Sequence, residues 1–150
     1  MTLQEAYNFI ESLKTEATKK YEIKVYEKFL HILSELKIRE FSKDEIQSIE
    51  TELESLDLKS NPENKKKFIK KALTKFEKYL KDTFSLTSKG YYINLYGGLG
   101  LSFGLLFGVA ILSNLERSLG ISLGLIGGMV VGSLIGRQKE TQVKAAGKML

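Results

Sequence analysis

Residues 118–136 read SLGISLGLIGGMVVGSLIG, a run of 19 residues that holds no charged side chain. A second uncharged run, of 26 residues, covers 90–115. A helix rises about 1.5 Å per residue and the hydrocarbon core of a bilayer is roughly 30 Å thick, so about 20 residues are enough to cross it. The two runs therefore predict two membrane-spanning helices, at 95–113 and 119–136, which together form a transmembrane hairpin over 95–136.

Glycine recurs at every fourth position in both predicted spans. The positions are Gly100, Gly104, Gly108, Gly120, Gly124, Gly128, Gly132 and Gly136. Small residues at this spacing let helix backbones approach closely in lipid, where little hydrophobic force acts between helices. We therefore expect these glycines to be helix-packing faces. The second span offers more small positions than one partner helix needs, which favours a homo-oligomer over the alternative of a monomeric tight hairpin.

Residues 97–150 resemble the glycine-zipper hairpins with two transmembrane helices that occur in small bacterial membrane proteins. The repeated glycines carry the resemblance, and the closing stretch KETQVKAAGK at 139–148 is similar to the charged Ala-Gly tails that follow such hairpins. The resemblance implies an architecture and a range of roles, from pore formers to simple anchors. It does not extend to residues 1–89.

Serines occur at matching positions in the two spans. Ser102 and Ser113 are eleven residues apart, as are Ser122 and Ser133, so each pair returns to nearly the same helix face, away from the glycines. One hypothesis makes them candidate lumen-facing residues of a narrow pore, because polar groups in membrane spans often line pathways. The alternative is that each hydroxyl binds the carbonyl four residues earlier in its own helix.

Basic and aromatic residues flank the predicted hairpin. The candidate membrane-interface residues are Lys89, Tyr91, Tyr92, Tyr96, Arg137 and Lys139. Cytoplasmic flanks of membrane spans are enriched in Lys and Arg, and Tyr favours the headgroup level. We therefore expect a multi-pass protein of the cytoplasmic (inner) membrane with both termini cytoplasmic, a juxtamembrane linker at 87–94 and a cytoplasmic basic tail at 137–150.

Residues 1–86 have the pattern of a cytoplasmic helical domain. Residues 1–60 hold neither Gly nor Pro, and their apolar residues recur at spacings of three and four. Capping boxes predict helix starts at Thr2 and Ser42, and Asn61 before Pro62 predicts a third. The stretch near 18–22 is either a break or part of one long helix. The expected fold class is all-α, with a small cytoplasmic helical bundle followed by the two-helix transmembrane hairpin.

Charge is uneven along this domain. Residues 40–57 carry seven acids and one Lys, whereas 58–89 carry ten Lys and three acids. The densest run is Lys65, Lys66, Lys67, Lys70 and Lys71. We consider three interpretations of this run: contact with anionic lipid, contact with nucleic acid, and a solvated helix face. The absence of Arg from the run weakens base readout, so nucleic acid is the least favoured partner.

Composition excludes several classes of chemistry. The chain has no Cys and one His, so neither a thiolate nor a histidine cluster is available for a metal or a redox centre. We find no phosphate loop, nucleophile elbow or kinase signature. The sequence therefore predicts a protein that is not an enzyme and that has no cofactor and no metal.

Two functions fit these features. The first is an integral membrane protein that self-associates through its glycine helices, as a pore or channel-type effector with a cytoplasmic sensing domain. The alternative is a membrane-anchored scaffold or adaptor that recruits a cytoplasmic protein partner. In both, the lipid bilayer is the main partner of the C-terminal third.

Overall fold

The computed structural model describes residues 1–60, 64–110 and 117–150. These residues form six helices and no strand, which confirms the all-α fold class. The helices are α1 (Leu3–Glu16), α2 (Lys20–Ile38), α3 (Lys43–Ser55), α4 (Lys65–Phe84), α5 (Tyr91–Ala110) and α6 (Arg117–Ala145). The chain divides into two compact units, residues 1–86 with Leu150, and residues 87–149.

The starts of α1 and α3 are fixed by the two predicted capping boxes. The Thr2 hydroxyl accepts from the Glu5 N–H while the Glu5 carboxylate accepts from the Thr2 N–H, and Ser42 and Glu45 repeat the exchange at α3. Each box satisfies two backbone donors that a helix start leaves unpaired. The predicted start at Asn61 and Pro62 lies outside the described residues. Within them, α4 begins at Lys65.

A break separates α1 from α2, so the alternative of one long helix is wrong. Ala17 has an extended backbone, and α2 begins at Lys20 without a side-chain cap. The same hydrophobic spacing continues on both sides of the break, because α1 folds back against α2 and both bury their apolar stripes. The Lys14–Glu27 ion pair, at 3.2 Å, joins the two helices across this turn.

The four helices of the first unit surround one apolar core. The rings of Phe29 and Phe76 lie near its centre, with their centroids 5.8 Å apart, and neither side chain is exposed. The other fully buried large residues are Ile10, Ile32, Leu33, Leu36, Ile49, Leu53, Leu58, Ile69 and Leu80. They come from all four helices and from the segment after α3, so each helix depends on the others to shield its apolar face from water.

Ser85 ends α4 in a left-handed conformation, with φ of +56°. The Leu86 N–H donates to the Leu80 carbonyl and the Ser85 N–H to the Lys81 carbonyl, so two carbonyls of the last turns of α4 are satisfied at this end. Glycine adopts this conformation without the steric penalty that a Cβ brings.

We predict that Ser85→Gly raises the free energy of unfolding of the bundle by about 1 kcal/mol, because the strain of a left-handed non-glycine residue is removed. Urea unfolding of the full chain in detergent micelles, followed by circular dichroism, measures the change. Ser55→Gly, a substitution in the right-handed last turn of α3, should instead lower stability. Equal effects of the two variants would contradict the prediction.

The hydrogen bonds from Ser42 lower the pKa of the Glu45 carboxyl below its ordinary value. A carboxylate whose folded-state pKa is depressed stabilises the fold above its unfolded pKa and loses that contribution as pH falls through the folded value. We therefore predict that Glu45→Gln makes unfolding less sensitive to pH below the ordinary Glu pKa than it is in the natural chain. A pH profile of urea unfolding that is the same in Glu45→Gln as in the natural chain would contradict the prediction.

Candidate functional site

The α5 and α6 helices are long and apolar enough to cross a membrane. Their large side chains point outward: Phe103 is 59% exposed, Leu106 62% and Ile126 63%. Only 17% of the apolar stretch of each helix is buried. Core helices of a soluble protein bury most of their apolar surface, so this exposure favours a lipid environment for the hairpin.

The eight glycines predicted to pack lie where α5 and α6 meet. A Cβ added at Gly100 would collide with the Gly128 carbonyl oxygen, and one added at Gly104 would collide with the Gly124 carbonyl oxygen. At Gly108 the added atom would be 2.6 Å from the Gly120 oxygen. The two helices therefore run antiparallel in backbone contact, at a separation that any larger residue would prevent.

The remaining two positions of the α6 ridge also face α5. A Cβ on Gly132 would strike the Tyr96 carbonyl, and one on Gly136 would lie 2.6 Å from the Cα of Ile93. All five ridge glycines of α6 thus contact α5 within one chain. Self-association, which we predicted from the surplus of small positions in the second span, stays a prediction.

Two glycines lie outside this contact. A Cβ added at Gly98 or at Gly127 would meet nothing within 4 Å. Gly127 lines an apolar groove of about 540 Å³ that runs between the outward faces of α5 and α6, beside Phe103, Phe107 and Val131. These small positions are the ones that the hairpin leaves open to lipid or to another helix.

The serines in the spans mostly bind their own helices. The Ser102 hydroxyl donates to the Gly98 carbonyl at 3.2 Å, and the Ser122 hydroxyl donates to the Ser118 carbonyl at 2.9 Å. Ser133 differs from the expectation, since its hydroxyl oxygen lies 3.4 Å from the place of a Cβ on Gly97 and so beside the partner helix. The predicted Ser113 lies outside the described residues.

The tyrosines predicted at the membrane interface form a cluster in the first turns of α5. The rings of Tyr91 and Tyr92 meet edge to face with centroids 5.1 Å apart, and those of Tyr92 and Tyr96 stack at 6.4 Å. Because Gly136 contacts Tyr92 and Ile93, the aromatic cluster and the following cations of α6 lie at the same end of the hairpin.

The basic residues of this end are exposed. Lys89 precedes α5, and Arg137 and Lys139 follow Gly136 within α6. Helix α5 begins at Tyr91, inside the stretch predicted as a linker, and α6 continues to Ala145, inside the stretch predicted as a tail. These extensions are hidden in the sequence because charged and polar residues mark the end of each apolar stretch, whereas the helix itself continues past that point.

The lysine run of α4 lies on the surface of the bundle. Lys65, Lys67, Lys70 and Lys71 are exposed, and Lys66 is half-buried because its ammonium lies 3.4 Å from the centroid of the Tyr21 ring. This contact with α2 was not visible in the sequence. Among the described residues, no group of three or more His, Cys, Asp or Glu side chains could hold a metal ion.

No family model, no curated protein and no solved structure matches this chain.

We predict that Gly104→Ala weakens the hairpin by roughly 1–3 kcal/mol, because the new methyl group forces two backbones apart, as overpacking does in cores. Gly127→Ala is the matched control: its methyl group enters open space, and Ala favours helix over Gly. Spin labels on cysteines introduced at Leu95 and Leu134 would follow helix separation during titration with dodecyl sulfate. An unchanged midpoint for Gly104→Ala would contradict the backbone contact.

Proposed function

We propose that this protein is a membrane-anchored adaptor: the α5–α6 hairpin holds it in the cytoplasmic membrane, and the bundle recruits a cytoplasmic partner by binding rather than by catalysis. The observation that carries the proposal is the glycine contact between α5 and α6. A hairpin whose small-residue ridges are used within one chain is complete as a single copy, which is what an anchor requires.

The polar groups of the spans support an anchor over a conducting path. A water-filled lumen needs polar side chains that face it, whereas the Ser102 and Ser122 hydroxyls are satisfied by carbonyls of their own helices. The outward faces of α5 and α6 consist of large apolar residues suited to lipid. Among the described residues of α5 and α6, these features favour a lipid-facing exterior and leave few polar groups for ions.

The bundle has the properties of a separate binding module. It contains its own apolar core and surrounds it with charged surface. A membrane anchor raises the local concentration of such a module at the membrane surface, so even a weak partner interaction becomes effective there.

A pore-type effector formed by several copies is the second candidate. The open groove beside Gly127 favours it, because a small residue on an outward face lets a helix of another copy approach closely. Self-association would then use this groove instead of the ridge. A lumen would have to form between hairpins of neighbouring copies.

We predict that the full chain fractionates with membranes, resists extraction at alkaline pH and is released by detergent. The chain has no natural Cys, so single cysteines report topology without background. In intact spheroplasts a membrane-impermeant maleimide should label Asn114→Cys, whereas Thr74→Cys and Gln138→Cys should react only after permeabilisation. Labelling of all three positions before permeabilisation, or recovery of the chain in the aqueous fraction, would contradict the proposed anchor.

A subunit count in nanodiscs and a dye-release assay with proteoliposomes separate the two candidates. One copy per disc and tight vesicles support the adaptor. A ring of several copies that releases dye, with both effects lost in Gly127→Leu, supports the pore and overturns the adaptor.

A further inference from the structure

Lysines from two distant segments meet at one end of the bundle. Lys66 contacts the ring of Tyr21, and further along the same helices Lys28 pairs with Glu77 at 2.8 Å. Because residue numbers increase together in both helices from the first contact to the second, α2 and α4 run parallel and their N-termini lie at the same end. Lys19 and Lys20, which directly precede Tyr21, therefore join the lysines that begin α4. We call this surface the basic end and define it as Lys19, Lys20, Lys65, Lys66 and Lys67.

The basic end is electrostatically unfavourable for the bundle itself. A helix N-terminus carries roughly half a positive charge and prefers acidic neighbours. The first turn of α4 has three lysines and no acid, whereas the first turn of α2, which has no side-chain cap, holds Glu22. Breaks of local rules of this kind concentrate at functional sites.

Two acids, Glu16 and Glu22, also lie at this end of the bundle. Burial raises the pKa of the Tyr26 hydroxyl, and the charges of Glu22 and Glu16 raise it further. They offset part of the positive charge. The exposed lysines of the basic end still outnumber them, which leaves a surface that attracts anions.

A cavity of about 280 Å³ opens beside these lysines, between the last turns of α1 and the first turns of α4. Lys65 and Lys59 line it together with Ser12 and Glu16. Its apolar lining comes from Phe9, Leu13, Leu58, Phe68 and Ile69. The wall of the cavity therefore mixes apolar side chains with cations and other polar groups, a mixture that suits one apolar side chain flanked by carboxylates.

We propose that the basic end and this cavity bind an acidic segment of a cytoplasmic protein, with an apolar side chain of that segment in the cavity and its carboxylates on the lysines. The proposal rests on the proposed function and names the chemistry of the recruited partner.

Nucleic acid fits the surface less well. The basic end has lysines and no arginine, so it lacks the forked donors that read guanine, and a phosphate chain has no group for an apolar cavity. A lipid headgroup also fits less well, because it is polar throughout and, like a phosphate chain, brings no apolar side chain to the cavity. A protein segment uses both the charge and the cavity.

The test measures fluorescence anisotropy of a labelled probe with the full chain in neutral phosphatidylcholine nanodiscs at low salt. The probe is a short Glu-rich peptide with one central Leu. The double variant Lys20→Gln and Lys66→Gln should lower its affinity about three- to tenfold, because exposed ion pairs contribute modestly. The control, Lys43→Gln with Lys78→Gln, changes net charge equally at the other end of the bundle and should bind as the natural chain does.

Three further variants test the cavity. Ser12→Phe, which fills the cavity from an exposed position, should remove the preference for the Leu peptide over the same peptide with Ser in place of Leu. Thr74→Phe, on the outer face of α4, should retain that preference. Glu16→Gln should tighten binding of both peptides about two- to fivefold, because a carboxylate that repels the probe is neutralised.

Equal losses in the two lysine pairs, or equal affinity of the natural chain for the Leu and Ser peptides, would overturn the proposal. So would lysine-dependent binding of oligothymidine or of anionic vesicles without binding of the peptide. Fractionation and maleimide labelling test the membrane anchor independently of the peptide-binding assay. A chain that binds the peptide but does not enter membranes would refute the adaptor and leave the acidic-segment site standing.

Discussion

The backbone contact between α5 and α6 is the constraint on which the C-terminal unit depends. At Gly100, Gly104 and Gly108 the carbonyl of one helix occupies the space where a side chain of the other would begin. Lipid offers apolar helices no hydrophobic reason to associate, so close approach and its many small dispersion contacts must supply the attraction. Glycines spaced four residues apart continue these contacts from Gly108 and Gly120 to Gly136 beside Ile93.

The N-terminal unit is stabilised instead by the hydrophobic effect. Its helices are covered with Lys and Glu, and burial of residues such as Phe29 and Phe76 away from water provides the stabilisation. The capping boxes of α1 and α3 fix where helices start, and the left-handed Ser85 fixes where α4 stops. The two units of the chain are thus stabilised differently, the hairpin by close backbone packing at glycines and the bundle by burial of apolar side chains.

The two units also differ in the residues that they leave exposed. The hairpin uses its packing surface internally and presents apolar side chains outward, which suits a permanent residence in lipid. The bundle buries its apolar residues in its core and carries charged residues on its surface, where the proposed recruitment of a partner would take place. The unfavourable charge at the N-terminus of α4 is tolerated because the core beneath it, including Ile69 and Leu73, is well buried.

Sequence alone determined what periodicity and local chemistry encode. Glycine and charge spacing predicted two apolar helices, and the patterns Thr2 with Glu5 and Ser42 with Glu45 predicted two helix starts, because a capping box involves residues only three apart. Partners distant in sequence were decided by the tertiary structure. Which helix the α6 ridge faces, and the meeting of Tyr21 with Lys66, depend on how elements pack, since a pattern within one helix defines a face but not the surface that covers it.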